Sequence, residues 1–100
     1  MMEDINGCNT LAIAYYDFIL GFIQKLNESF KYTLSQENHL EGEVRENIDS
    51  VYKKSLELTE LYINLRQKQM EHISEKGTIN QDLENQLTKI WQEFESNIRH

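Results

Sequence analysis

The chain has 100 residues and a formal net charge of −7, with 17 acidic against 10 basic side chains. This length allows one domain at most, and the acidity argues against direct binding of DNA or RNA, whose phosphates it would repel. Proline is absent and glycine occurs only four times. Because proline and glycine mark loops and turns, their scarcity favours long helices, and we expect an all-α protein.

The first helix is predicted from about residue 9 to about residue 34. Residues 1–8 contain Gly7 and lack apolar periodicity, so the sequence predicts a flexible N-terminal tail there. Asn9 or Thr10 is the expected N-cap, since either side chain can accept a hydrogen bond from the first free N–H groups of a helix. The rest of the chain, residues 9–100, is expected to form a single helical domain.

The most apolar stretch of the chain is residues 11–23, interrupted only by the charge of Asp17. It is too short for a transmembrane helix, and no basic residues precede it as in a signal peptide. Asp17 is expected either to point away from the bundle or to pair with a basic group. Two neighbouring stripes with helical spacing run through the stretch: Leu11, Tyr15, Phe18, Phe22, Leu26 and Phe30 form one, and Ala12, Tyr16, Ile19 and Ile23 form the other.

Gly21 lies inside this predicted helix, where it costs about 1 kcal/mol relative to alanine. Two interpretations stay open for it. The glycine is either simply tolerated, or it is kept because a bare backbone lets a second helix approach closely.

A break is predicted at residues 35–42, where Asn38 and Glu41 resemble a capping box. A continuous helix through this region is the minor alternative. The second helix is predicted from about residue 43 to residue 76, and its apolar residues alternate steps of four and three, which is typical of a coiled-coil seam. That seam comprises Val44, Ile48, Val51, Ser55, Leu58, Tyr62 and Leu65, and a second apolar row on another face comprises Leu56, Ile63 and Met70.

The clearest boundary in the sequence is Gly77, a residue that readily takes the left-handed conformation at the end of a helix. Thr78 and Gln81 have the spacing of a capping box, which predicts a third helix over about residues 79–97. The short connection favours antiparallel packing of the second and third helices. The expected architecture is a three-helix antiparallel bundle or an elongated helical hairpin with coiled-coil character.

No residue pattern predicts catalysis, a cofactor, a metal or a small-molecule substrate. None of the three histidines lies three or four residues from another, and the adjacent carboxylates are interpreted as solvated helix faces. The single cysteine, Cys8, cannot form an internal disulfide, which favours a reducing intracellular compartment, cytoplasmic or nuclear.

Three helices from one short chain leave a marginal core for this much apolar surface. The sequence therefore predicts a non-catalytic structural or adaptor subunit that assembles with helical proteins in an intracellular complex, or that self-associates. Each candidate aromatic is equally a core residue or an interface anchor, and Tyr16→Ala is predicted to weaken association by about 1–3 kcal/mol while helicity stays. The candidate interface residues are Tyr15, Tyr16, Ile19, Phe22, Ile23, Leu56, Ile63 and Trp91.

The sequence leaves two alternative functions open. One is a small acidic regulatory binder, an inhibitor or chaperone that masks a basic or hydrophobic partner. The other is a peripheral membrane protein, against which the shortage of lysine and arginine beside the apolar stretch argues, since anionic lipid would repel the chain.

Overall fold

Three α-helices pack against each other, and the predicted all-α fold is confirmed. The computed structural model describes residues 2–36 and 42–99, with side chains described for residues 9–36 and 42–98. The body measures 58 × 19 × 19 Å. The helices are α1, Met2–Ser35, α2, Gly42–Lys76, and α3, Gln81–Arg99.

The directions of the helices follow from the bonds between them. Asn27 of α1 bonds Thr59 of α2, and Asp17 of α1 bonds Arg66 of α2. The residue with the higher number on α1 thus bonds the residue with the lower number on α2. The two helices are therefore antiparallel and separate, which excludes a continuous helix. The turn after Lys76 sends α3 back along α2, so that α3 lies parallel to α1.

The core is built from residues of the predicted apolar patterns of all three helices. Burial of each such side chain is worth about 1.5–3 kcal/mol. The contributions of α2 come from the predicted seam, and those of α3 are Leu87 and Phe94, seven residues or about two turns apart on one helix face. The buried apolar residues are Tyr16, Ile19, Ile23, Leu58, Tyr62, Leu87 and Phe94.

Helix α1 begins at Met2, well before the predicted start near Asn9, so residues 2–8 of the predicted tail are helical. One glycine costs only about 1 kcal/mol in a helix, and no proline is present to stop the helix from extending. Asn9 is consequently not an N-cap. Its Nδ2 donates to the carbonyl oxygen of Gly77 at 2.8 Å, just past the last turn of α2, where helix carbonyls lack partners.

The predicted end of the second helix is confirmed. Helix α2 ends at Lys76, and Gly77 has a φ of 72°, the left-handed conformation that closes many helices. The N–H of Gly77 donates to the carbonyl of Ile73 at 2.8 Å.

Helix α3 begins at Gln81, two residues later than predicted. Asn80, rather than Thr78, is the N-cap, since its Oδ1 accepts a hydrogen bond from the N–H of Leu83 at 2.9 Å. Asparagine is at least as good a cap as threonine, and here its backbone is also held by α2. At the other break, the expected box of Asn38 and Glu41 lies outside the described residues.

A buried polar network connects the three helices beside this turn. Gln69 is fully buried, and its amide makes two bonds with the backbone of Asn80: Nε2 donates to the carbonyl at 3.0 Å, and Oε1 accepts from the N–H at 2.9 Å. Nε2 also lies 3.3 Å from the Tyr16 hydroxyl, which in turn donates to the Glu84 carboxylate. We call Tyr16, Gln69, Asn80 and Glu84 the polar clamp.

Helix α3 is shorter than its neighbours, and it leaves α1 and α2 to continue as a two-helix hairpin. Near its end, Asn97 donates Nδ2 to the carbonyl of Val51 at 3.1 Å. At the same level Phe30 and Tyr52 pack with ring centroids 6.5 Å apart, and beyond it Nη2 of Arg45 donates to the carbonyl of Leu34 at 3.0 Å. The three-helix part of the bundle therefore runs from the polar clamp to the level of Val51, and only the end of α1 and the start of α2 extend past it.

Gln69→Ala is expected to lower the free energy of unfolding by about 2–4 kcal/mol. The substitution leaves the half-buried N–H of Asn80 without its partner, whereas the carbonyl keeps the bond from the N–H of Glu84. An unpaired N–H costs about 1–3 kcal/mol, and the lost side chain adds a cavity. The measurement is urea unfolding followed by circular dichroism. Gln67→Ala is the matched control, because Gln67 is exposed on the same helix and should change stability by less than about 0.5 kcal/mol. Equal losses in the two variants would contradict a structural role for the polar clamp.

Candidate functional site

A line of large apolar side chains on α1 remains uncovered by the rest of the bundle. Leu11 is 72% exposed and Phe18 70% exposed, with Tyr15 and Phe22 about half exposed. The steps of four, three and four place these residues on one face of the helix, and we call them the α1 stripe. Since an aromatic side chain offers 150–250 Å² for burial, the stripe presents roughly 400 Å² to solvent. Apolar patches of this size on monomers are often functional.

Three predicted interface residues, Tyr16, Ile19 and Ile23, are instead buried in the core of the chain itself. They belong to the second of the two predicted stripes, the one that faces α2 and α3. Their placement also replaces the prediction made for Tyr16→Ala: the variant is expected to unfold the chain, because it removes a core aromatic and a member of the polar clamp. These three residues leave the candidate interface.

Tyr15 and Phe22 remain in the candidate interface, as members of the α1 stripe. Trp91 of α3 is half-buried beside them. Its ring contacts Phe22 edge-on with centroids 5.9 Å apart and stacks on the core residue Phe94 at 5.8 Å. Trp91 therefore marks the point where the α1 stripe meets the core.

Leu56 and Ile63 of α2 are also exposed, but they belong to a different surface. Leu56 lies three residues before Thr59, and Ile63 lies three residues before Arg66; both Thr59 and Arg66 bond α1. Residues three apart are neighbours on a helix surface, so Leu56 and Ile63 lie beside the junction of α1 with α2. The α1 stripe flanks the junction of α1 with α3. Among the described residues, Leu56 and Ile63 are therefore separate from the α1 stripe and lie on the other side of α1.

Sequence reasoning left Leu11 and Phe18 out of the candidate interface, although the structure leaves them the most exposed of the stripe. Their membership of a line with helical spacing was visible in the sequence. Which of the two neighbouring lines turns inward depends on where α2 and α3 lie, and local periodicity does not carry that information.

Gly21 opens a hollow next to the stripe. The hollow has a volume of about 270 Å³ and is lined by Gly21, Asp17, Phe18, Phe22 and Lys25. A Cβ atom built on Gly21 meets nothing within 4 Å. No described helix of the same chain therefore uses the close approach that this glycine permits.

Asp17, the charge inside the apolar stretch, pairs with a basic group, which is one of the two placements expected for it. Its Oδ1 accepts a hydrogen bond from Nε of Arg66 at 2.8 Å. About half of the Asp17 side chain stays exposed, so this ion pair is worth at most about 1 kcal/mol. Its main effect is to tie α1 to α2 on the side away from α3.

The described residues contain no group of three or more His, Cys, Asp or Glu side chains placed to hold a metal ion. None of the helices, searched over the same described residues, has an apolar segment of the length that a membrane span requires. A cavity of about 20 Å³ lies between Tyr15, Tyr62, Glu84 and Thr88, which is room for about one water molecule.

Burial and the environment of the polar clamp perturb two tyrosines. Burial of the Tyr16 hydroxyl, together with its hydrogen bond to the Glu84 carboxylate, raises the pKa of Tyr16 to about 12 from an ordinary value of 10.0. Burial also raises the pKa of Tyr62, with smaller contributions from neighbouring groups. Both phenols therefore stay neutral in the folded protein at pH values where an unfolded tyrosine ionises.

This difference predicts an alkaline loss of stability. Below pH 10 Tyr16 is protonated in both the folded and the unfolded protein, so its contribution to stability is fully present. As the pH rises toward 12, the unfolded protein loses this proton and the folded protein keeps it, which favours unfolding. We expect the free energy of unfolding to fall by on the order of 2 kcal/mol more in the wild type than in Tyr16→Phe over this range. Urea titrations at a series of pH values measure it, and parallel curves for the two proteins above pH 10 would contradict it.

The division of the aromatics into core and surface gives a matched pair of variants. Phe94→Ala removes a fully buried ring and is expected to cost about 3–5 kcal/mol. Phe18→Ala removes an exposed ring and should change stability by less than about 0.5 kcal/mol. Chemical unfolding of the two variants tests the assignment, and a large loss in Phe18→Ala would show that Phe18 is a core residue after all.

Comparison with known proteins adds no family or fold relative. No protein-family model matches the chain, and no curated protein or solved structure matches it significantly. The positions of this chain's own side chains are therefore the basis for inferring its function.

Proposed function

We propose that the protein is a non-catalytic structural or adaptor subunit whose α1 stripe docks a helix of a protein partner, in the cytoplasm or nucleus. The observation that carries the proposal is the exposure of the stripe, with Leu11 and Phe18 both more than two-thirds uncovered. At about 25 cal/mol per Å², covering the roughly 400 Å² of the stripe is worth on the order of 10 kcal/mol before the costs of association.

The shape of the stripe favours a helix as the occupant. From Leu11 to Phe22 it runs straight for about 16 Å along one helix face. A partner helix that offers apolar residues at steps of three and four can lie along it, as in the helix-in-groove mode of recognition. The hollow at Gly21 lets the partner backbone come close at one end of the line.

The stripe is also held in place before any partner arrives. Its neighbours Tyr16 and Ile19 are locked in the core, and the polar clamp ties the same part of α1 to α2 and α3. A preformed surface pays little ordering entropy on binding, which leaves more of the burial free energy for affinity.

An adaptor role is favoured over a single-partner inhibitor by the second apolar surface. Leu56 and Ile63 lie on the opposite side of α1 from the stripe, so two partners can be bound at the same time. The regulatory binder, which masks one basic or hydrophobic partner, remains the second candidate because the chain carries a net charge of −7.

The test is a selection of amphipathic helical peptides on the full-length chain, followed by affinity measurements on the selected peptides. Phe18→Ser is expected to weaken binding 10- to 100-fold, the loss of about 1–3 kcal/mol that an aromatic anchor contributes, with an unchanged circular dichroism spectrum. Tyr32→Ser is the matched control, since Tyr32 lies on the same helix and is 67% exposed outside the stripe. Peptides that bind Phe18→Ser as well as the wild type would refute docking on the stripe.

A further inference from the structure

We propose that the occupant of the α1 stripe is a basic amphipathic helix that lies in the groove between α1 and α3. This inference rests on the proposed docking function and specifies the partner: apolar residues against the stripe, and lysine or arginine along the flank that faces α3.

The second wall of the groove is a face of α3 that runs beside the stripe. The bond between Tyr16 and Glu84 and the contact between Phe22 and Trp91 hold the two walls level with each other. Tyr15, Glu84, Thr88 and Trp91 line one small cavity between the helices. The wall repeats the four, three, four spacing of the stripe, and we call it the α3 face: Glu84, Thr88, Trp91 and Glu95.

The α3 face carries a carboxylate at each end. Glu84 and Glu95 are both half-buried, and eleven residues of helix separate them by about 16 Å. A charge in a partly desolvated position interacts more strongly with an opposite charge than one in bulk water. Between the two lies Trp91, whose ring attracts a cation on its face. The wall therefore suits a row of basic side chains.

The charges on the other side of the stripe do not reverse the preference for a basic partner. Asp17 is paired with Arg66, and Lys25 is the basic residue among those that line the Gly21 hollow. The whole chain adds a field of seven net negative charges, which speeds the approach of a basic partner.

A second copy of the chain fits this groove less well. It would bring the same net charge of −7 and the same acidic α3 face into the interface, and like charges oppose association. Charge complementarity thus favours a basic helix from another protein.

The experiment uses the full chain and two synthetic helical peptides with the same apolar residues, one with lysine and one with glutamate at the flanking positions. Neither peptide contains tryptophan, so the fluorescence of Trp91, the single tryptophan of the chain, reports occupancy of the groove. We expect the lysine peptide to bind at least about 10-fold more tightly at low ionic strength. The ratio should fall several-fold in about 0.5 M salt, because salt screens exposed charges.

A pair of double variants locates the attraction on the α3 face. Glu84→Gln with Glu95→Gln is expected to weaken binding of the lysine peptide at least about 5-fold, while the amide introduced at position 84 keeps an oxygen that can accept the bond from Tyr16. Asp82→Asn with Glu93→Gln removes the same charge from positions two residues away, which lie on the far side of α3 at 3.6 residues per turn. This control should retain the wild-type preference for lysine.

The outcomes separate the two proposals. Equal or tighter binding of the glutamate peptide would overturn the inference of a basic partner and leave docking on the stripe intact. Failure of both peptides to bind the wild type in any salt would count against the docking function itself. Light scattering completes the test: a wild-type dimer that Phe18→Ser converts to a monomer would show that a second copy occupies the stripe, and would overturn the inference.

Discussion

The arrangement of this protein depends on one buried amide. The side chain of Gln69 bonds the backbone of Asn80 on both sides of its amide group, so the chain leaving α2 is held to α2 as it turns. The same amide reaches the Tyr16 hydroxyl of α1. A buried polar group is costly unless every partner is in place, and this requirement favours the register of α3 in which Asn80 meets Gln69. The groove between α1 and α3 is a consequence of that register.

The apolar surface of α1 is divided unequally by its neighbours. Helices α2 and α3 together cover the stripe that contains Tyr16, Ile19 and Ile23, and nothing in the described chain covers Leu11 or Phe18. A bundle of three helices cannot surround a helix that is apolar over a wide arc. The excess appears as the α1 stripe, and it gives the chain an exposed apolar surface beside the carboxylate of Glu84.

Two exposed surfaces on opposite sides of α1 support the proposed role of an adaptor that binds partner proteins. The α1 stripe borders α3 and its carboxylates, whereas Leu56 and Ile63 border the ion pair of Asp17 with Arg66. Because the same helix separates them, both surfaces share one rigid support. In the proposed function, a partner on one side would thereby be oriented relative to a partner on the other.

The sequence by itself determined the fold class, the approximate extents of α2 and α3 and the end of α2 at Gly77, because periodicity, the absence of proline and glycine conformation are local properties. It also showed two apolar stripes on α1. It did not determine that α1 starts at Met2 or that Asn80 caps α3: Asn9, an expected cap, bonds Gly77 instead, and the backbone of Asn80 is held by Gln69. Only the tertiary structure decided which stripe is core and which is surface, because that choice depends on the side from which α2 and α3 approach.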